Sequence, residues 1–124
     1  MKALSIMQPW AWLIATGLKD VENRSWYTSY RGEFLIHAGK RVDRDANEDV
    51  SAGAHPVSGW PLSMPSPYAP ECGGIVGIAE LVNCVDQSGS DWFVGPWGFV
   101  IRNARPLPFR PCRGALGFFT PEGI

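Results

Sequence analysis

The sequence is poor in the residues that disulfide and metal chemistry need. It has three cysteines, Cys72, Cys84 and Cys112, and no two are close together. An odd count without CxxC spacing argues against a disulfide framework and against a structural zinc site. The two histidines, His37 and His55, stand apart, so neither an HxH nor an HxxxH ligand pair exists. No metal and no cofactor is expected, and a reducing cytoplasm is the simplest compartment. Long apolar runs are missing as well. None approaches the length of a membrane span, so no membrane partner is expected. The apolar N-terminus is broken by Gln8-Pro9 and has no convincing cleavage site, so it reads as mature structure. Neither sign of charge dominates, and the net charge is -1. A protein that coats nucleic acid by charge alone is basic, so that class is disfavoured, while a local basic surface stays open. There is no GxGxxG, P-loop or GxSxG signature.

What the chain does carry is 124 residues, enough for one domain, 1–124, with a real core. Residues 3–6 are short and apolar, a first strand. Residues 8–17 read as a helix, with Pro9 at its first position and Gly17 just past its end. Trp10, Leu13 and Ile14 share one face of it. Residues 21–26 read as a strand, and after a turn through Tyr30 and Arg31 residues 33–38 read as its hairpin-like partner. Phe34 and Ile36 lie on one face of that strand, Leu35 and His37 on the other. Residues 41–54 are highly charged with a thin stripe of Ala46 and Val50, a solvated surface helix.

Prolines at 56, 61, 65, 67 and 70 exclude a regular element across 55–73. That stretch is either filler or a lid, to which Trp60, Met64 and Tyr68 would contribute. Residues 74–85 are apolar on both faces and predict a central strand, interrupted by Glu80. Glu80 there needs a partner such as Lys19 or Arg24, or a pocket, or the strand's wet end. A strand over 97–103 follows, with Phe99 and Ile101 inward. Then comes an extended ribbon with Arg102, Arg105, Arg110 and Arg113, three prolines and no acid. Residues 115–119 form a last strand. Five or six strands with short helices between them predict an α+β fold, a small mixed β-barrel with helices at its rim.

The chemistry concentrates in Gly17-Leu18-Lys19-Asp20-Val21-Glu22-Asn23-Arg24-Ser25-Trp26. Glu22 and Arg24 fall on one face of a strand, and Lys19 reaches back over it from the turn before. Two cations and a carboxylate in one small volume can bind an anion, polarise a carbonyl or move a proton. The same three residues can also form a plain ion-pair network. Trp10 or Trp12 either packs in the core or stacks on a planar ligand beside Lys19. His37 sits in apolar company, where a hydrogen-bonded core histidine is the common case. The arginine ribbon is either a solubilising edge or a contact for phosphate.

Gly17-x-Lys19-x-x-Glu22-x-Arg24 resembles the GxKxxExR motif of the ASCH domain family. The flanks Gln8-Pro9-Trp10-Ala11, Tyr30-Arg31-Gly32, Leu35-Ile36-His37-Ala38, Gly74-Ile75-Val76-Gly77 and Gly114-Ala115-Leu116-Gly117-Phe118 resemble the same family, in the same order. The resemblance implies a PUA-like β-barrel whose motif residues line a cleft. It implies RNA binding, with ribonuclease activity in some bacterial members. A related group hydrolyses the amide of N4-acylated cytidines. That group has a lysine at the position of Lys19, but a threonine nucleophile where this chain has Glu22, and a further glutamate with no obvious equivalent here, for which Glu80 or Asp91 could substitute. The threonine mechanism therefore cannot be carried over.

Two functions follow as expectations. In the first, favoured by the near-neutral charge, the chain is an amidohydrolase of N4-acylated cytosine nucleosides. Lys19 and Glu22 are then catalytic, and Trp10, Arg24, Tyr30, His37 and Glu80 bind the substrate, with Trp97 a further stacking candidate. Glu22 would activate a water and pass its proton to the exocyclic amine, with Lys19 or Arg24 stabilising the oxyanion; attack by Ser25 or Thr28 is a variant. In the second, the chain is an RNA-binding module, with or without nuclease activity, contacting RNA through Arg102, Arg105, Arg110 and Arg113.

Overall fold

The computed structural model describes residues 1–124. The elements are β1 (Ala3–Gln8), α1 (Trp10–Ala15), β2 (Val21–Arg24), β3 (Gly32–Val42), α2 (Arg44–Ser51), β4 (Gly74–Val85), β5 (Trp97–Pro111) and β6 (Phe118–Phe119). The strands form one mixed sheet in the order β2-β5-β4-β3-β1-β6, with β1 and β3 parallel and the other pairs antiparallel. The sheet curls into a half-barrel with two short helices, the small α+β PUA-like architecture expected. Aromatic rings hold the curl from inside. Phe118 on β6 stacks on Phe99 of β5, and Trp26, just after β2, meets Phe99 edge-on at 5.1 Å.

The core follows the alternation read from the sequence. Phe34 and Ile36 of β3 are fully buried with Leu4, Ile6, Ala79, Leu81, Phe99 and Ile101 on one side of the sheet. Leu35 packs with Ala3, Ile75 and Ile78 on the other. Helix α1 lies on the inner face, and Gly77 of β4 makes that approach possible. A Cβ at Gly77 would stand 2.9 Å from the Cβ of Ala15 and 2.8 Å from the Arg105 carbonyl.

Four expectations need correction. Strand β2 does not form a hairpin with β3. It pairs with β5, placing Glu22 opposite Phe99. The residues between β2 and β3 cross the fold instead of turning within one layer. The first helix is shorter than 8–17, because Gln8 ends β1 and its Oε1 accepts from the Trp12 amide, capping the helix from outside. The arginine ribbon is no separate ribbon: up to Pro111 it is the second half of β5, and Arg113 follows the strand's end. Its prolines are tolerated because β2 pairs only with Trp97 to Val100 and the Asp20 carbonyl takes the Ile101 amide, which leaves the far edge of β5 without a strand partner beyond that point. The last strand is only Phe118–Phe119.

Residues 55–73 carry no helix or strand, but they are not loose filler. Leu62, Met64 and Tyr68 pack against a second small core of Trp12, Leu13, Val21, Val50 and Trp92. Trp60 points to solvent, 73% exposed. Helix α2 covers Arg44–Ser51 of the 41–54 stretch, since β3 runs on to Val42 and Asp43 caps the helix; Ala46 and Val50 are buried as read.

Candidate functional site

The curl leaves a gap where its two ends do not meet. β6 covers β1 only at Ala3 and Leu4, so the edge from Ser5 to Met7 has no strand partner on that side. β2 is the strand at the other end of the sheet. Between them lies a cavity of about 450 Å³. Its wall comes from Ser5, Ile6 and Met7 of β1, Trp10 of α1, Lys19, and the run Glu22 to Trp26, with Val57 and Val94 at the sides.

Local structure brings the charged residues to this wall. The hydroxyl of Thr16 donates to the Trp12 carbonyl, and Gly17, at φ +85°, turns the chain out of α1. The Lys19 amide then bonds back to Leu13 O at 3.0 Å, and the side chain folds over β2. Lys19 Nζ donates to Val21 O at 2.5 Å and to Glu22 Oε1 at 2.8 Å. Arg24 Nη2 lies 3.2 Å from Glu22 Oε2 and donates to Ser5 O at 2.8 Å. Arg24 thus bridges the gap from β2 to β1. Lys19 is 2% exposed and Glu22 7%. Taking such charges out of water costs several kcal/mol per ion unless each is paired. Here one carboxylate serves two cations, one on each oxygen, so the cluster keeps an excess positive charge. The buried Arg24 Nε has no hydrogen-bond partner.

Trp10 stands beside this cluster. Its ring centroid is 5.4 Å from Lys19 Nζ, and its indole Nε1 donates to Asp43 Oδ2 at 3.2 Å. Asp43 also caps α2, so the second helix helps to hold the tryptophan. Trp10 is the one α1 side chain of its run that stays half-buried; Trp12 is core.

The other expected site residues fall elsewhere. Tyr30 packs on Phe118 at 4.8 Å and donates to Glu33 O; it does not border the cavity. Trp97 meets Tyr27 edge-on instead of lining the wall. Glu80 is not paired with Lys19 or Arg24. It lies on the outer face of β4, where Arg102 and Asn103 donate to Oε1 at 3.1 and 3.0 Å and hold its carboxyl below the ordinary range. The strand's alternation explains this: Ala79 and Leu81 point in, so Glu80 points out. His37 is buried under β1, with Ser5 Oγ at 3.0 Å from Nδ1 and the Cys112 carbonyl 2.9 Å from Nε2. It borders a second cavity, not the first. Of the arginines, Arg102 pairs with Glu80, Arg105 with Glu33, and Arg110 donates to Gly123 O; none of the four lines the first cavity. Ser25 does line it, whereas Thr28 is buried and accepts from the Tyr30 amide.

Sequence reasoning missed the residues that shape the mouth. Asn23 Oδ1 accepts from the Val94 and Gly95 amides, and its Nδ2 donates to Trp92 O. His55 stacks on Trp92 with 3.7 Å between centroids, and its Nδ1 accepts from the Val57 and Ser58 amides. Burial pushes His55 below the ordinary histidine range, against the opposing pull of Asp91. Val57 and Val94 are therefore held at the mouth by one stack and a handful of amide bonds. An isolated histidine in a proline-rich stretch gives no signal of that role.

The same chain matches known proteins across this region. A family model described as ASCH domain covers residues 4–96, from β1 through the mouth of the cavity. Activating signal cointegrator 1 of Mus musculus is 38% identical over 85 residues, which is 68% of this chain and 14% of that protein. The protein of the same name from Homo sapiens is 35% identical over 85 residues, with the same shares. The chain thus spans about one seventh of the length of the curated relatives it matches. With its model running from β1 past the Lys19–Glu22–Arg24 cluster to the loop that flanks it, this chain belongs to the ASCH domain family.

Proposed function

We propose that the cavity binds one unstacked nucleobase of a single-stranded RNA or a nucleoside. Trp10 packs against the base, and Lys19, Glu22 and Arg24 meet its polar edge. The observation that carries this reading is a buried ion cluster with excess positive charge, opening onto a cavity of about 450 Å³ beside an indole ring. Small-molecule sites occupy roughly 300–1,000 Å³ and combine apolar walls with a few placed polar groups. Unpaired bases are held by aromatic stacking and by hydrogen bonds to their edges. The family resemblance points to RNA as well.

Calorimetric titration with cytidine and a short pyrimidine oligonucleotide tests it. Trp10→Ala should weaken binding by roughly 5- to 150-fold, the range that loss of one base–aromatic stack implies, while Trp10→Phe should restore much of it. No binding of either ligand to the parent would overturn the reading.

A second reading is hydrolysis of an N4-acylated cytosine nucleoside in the same cavity. It is favoured by the 2.8 Å contact of Lys19 Nζ with Glu22 Oε1 at the cavity wall. Glu22 would take a proton from a water as its oxygen adds to the acyl carbon, with Lys19 or Arg24 facing the oxyanion. The C–N bond would then break, and the exocyclic nitrogen would leave with that proton. Two features rank it second. Both oxygens of Glu22 are already engaged, Oε1 accepting from Lys19 and Oε2 in an ion pair with Arg24, so a water would have to share an oxygen with a cation. The cavity wall holds no second carboxylate to divide the acid and base work. Ultraviolet absorbance of N4-acetylcytidine decides it. Conversion to cytidine by the parent and not by Lys19→Ala supports hydrolysis; no conversion by the parent removes it.

A further inference from the structure

A second cavity, of about 580 Å³, lies on the outer face of the sheet around His37, Lys40 and Arg113. Ser5 belongs to the walls of both cavities. Its carbonyl faces the gap and accepts from Arg24, while its hydroxyl faces outward to His37. The two cavities are therefore neighbours around the free edge of β1.

The charges in the second cavity differ from those of the nearby arginines on β5. Arg102 and Arg105 are each paired with a glutamate. Lys40 and Arg113 form no salt bridge, and no carboxylate lines their cavity. The Cys112 carbonyl can only accept, so His37 Nε2 donates to it, and Nδ1 faces the Ser5 hydroxyl. Glycines at 39, 73 and 114 complete much of the wall, which keeps side chains out of the space. A Cβ at Gly114 would lie 2.7 Å from His37 and 3.0 Å from Ser5 Oγ.

Open space, two unpaired cations and no carboxylate suit a phosphate oxygen better than a base edge. We propose that the second cavity is a phosphodiester subsite: a single-stranded RNA with one base in the first cavity passes over Ser5 and sets its adjoining phosphate between Lys40 and Arg113. This rests on the nucleobase reading of the first cavity and extends it to a strand. It also replaces the outer arginines, neutralised by Glu33 and Glu80, as the backbone contact.

Calorimetric titrations with cytidine, its 5′- and 3′-monophosphates and the dinucleotide CpC separate the two claims. At low salt CpC should bind about 2- to 30-fold tighter than cytidine, the range that two exposed ion pairs supply. That gain should fall with added salt at a slope near -0.7 per phosphate contact. In Lys40→Ala/Arg113→Ala, with both residues exposed, the urea midpoint and cytidine binding should hold while the gain disappears. A monophosphate that matches CpC also supports the subsite and names a terminal phosphate as sufficient. If CpC binds no tighter than cytidine, or the gain survives the double substitution, the subsite is wrong and the nucleobase reading stands. If nothing binds, both fall.

Discussion

Two groups of charged residues sit on this sheet, both built around arginine–glutamate contacts and behaving oppositely. In the gap, Lys19, Glu22 and Arg24 have side chains 1%, 9% and 20% exposed. On the outer face, Arg102–Glu80 and Arg105–Glu33 form a row across β3, β4 and β5, with side chains 30% to 65% exposed. The contact distances overlap, so geometry alone does not distinguish the groups. Water does. The outer pairs are solvated, screened by salt and worth little. The inner cluster has given up its hydration and depends on its own pairing, which makes it expensive to keep and sensitive to any ligand that enters. An ion cluster at the wall of a cavity is in that sense a candidate site, and an ion ladder on a wet face is not.

The largest effect that sharpens this contrast is Glu22→Ala. It leaves Lys19 as a buried cation without a counter-charge and should cost about 3–5 kcal/mol, read from urea unfolding. Lys19→Met/Glu22→Leu removes both charges together. Its stability should come back to the parent's or exceed it by about 1–4 kcal/mol, because well-packed apolar groups can replace a buried pair. A smaller effect concerns the mouth. Burial lowers the His55 pKa from its ordinary 6.5. Below that value the unfolded chain takes up the proton more readily than the folded one, so stability present above it is lost as pH falls through the folded value. Urea midpoints measured from about pH 7.5 to about pH 5 should therefore drop more in the parent than in His55→Phe. The smallest effect is Glu80→Gln, on the wet face, which should leave the urea midpoint unmoved. A large loss there would break the contrast.

Much of the site was legible in the sequence, because its residues are close in the chain. The spacing of Lys19, Glu22 and Arg24 and the alternation of a strand place all three on one wall without knowledge of the fold. Gly17 and Trp10 were legible for the same reason. What was not legible depends on distant pairing. No local pattern says that β2 lies beside Phe99 of β5 instead of beside β3, and the hairpin expectation failed there. Ser5 takes part through its carbonyl, which every residue has. Glu80 is wet, one of the placements its sequence leaves open, but it is not beside the motif cations: Arg102 stands directly across from it on β5. The prolines of β5 lie in what reads as an extended ribbon after a strand ending near residue 103; an edge without a strand partner lets the strand run on through them. The fold class survived these errors, since strand number and the apolar faces do not depend on which strands pair.

On the nucleobase reading, the inner cluster is there for a ligand and not for the fold. Cytidine titration into Lys19→Met/Glu22→Leu, beside the parent, tests it most directly. The parent should bind, and the variant, at least as stable by its unfolding, should not. Equal binding by that variant would contradict the account and return the cluster to a purely structural role.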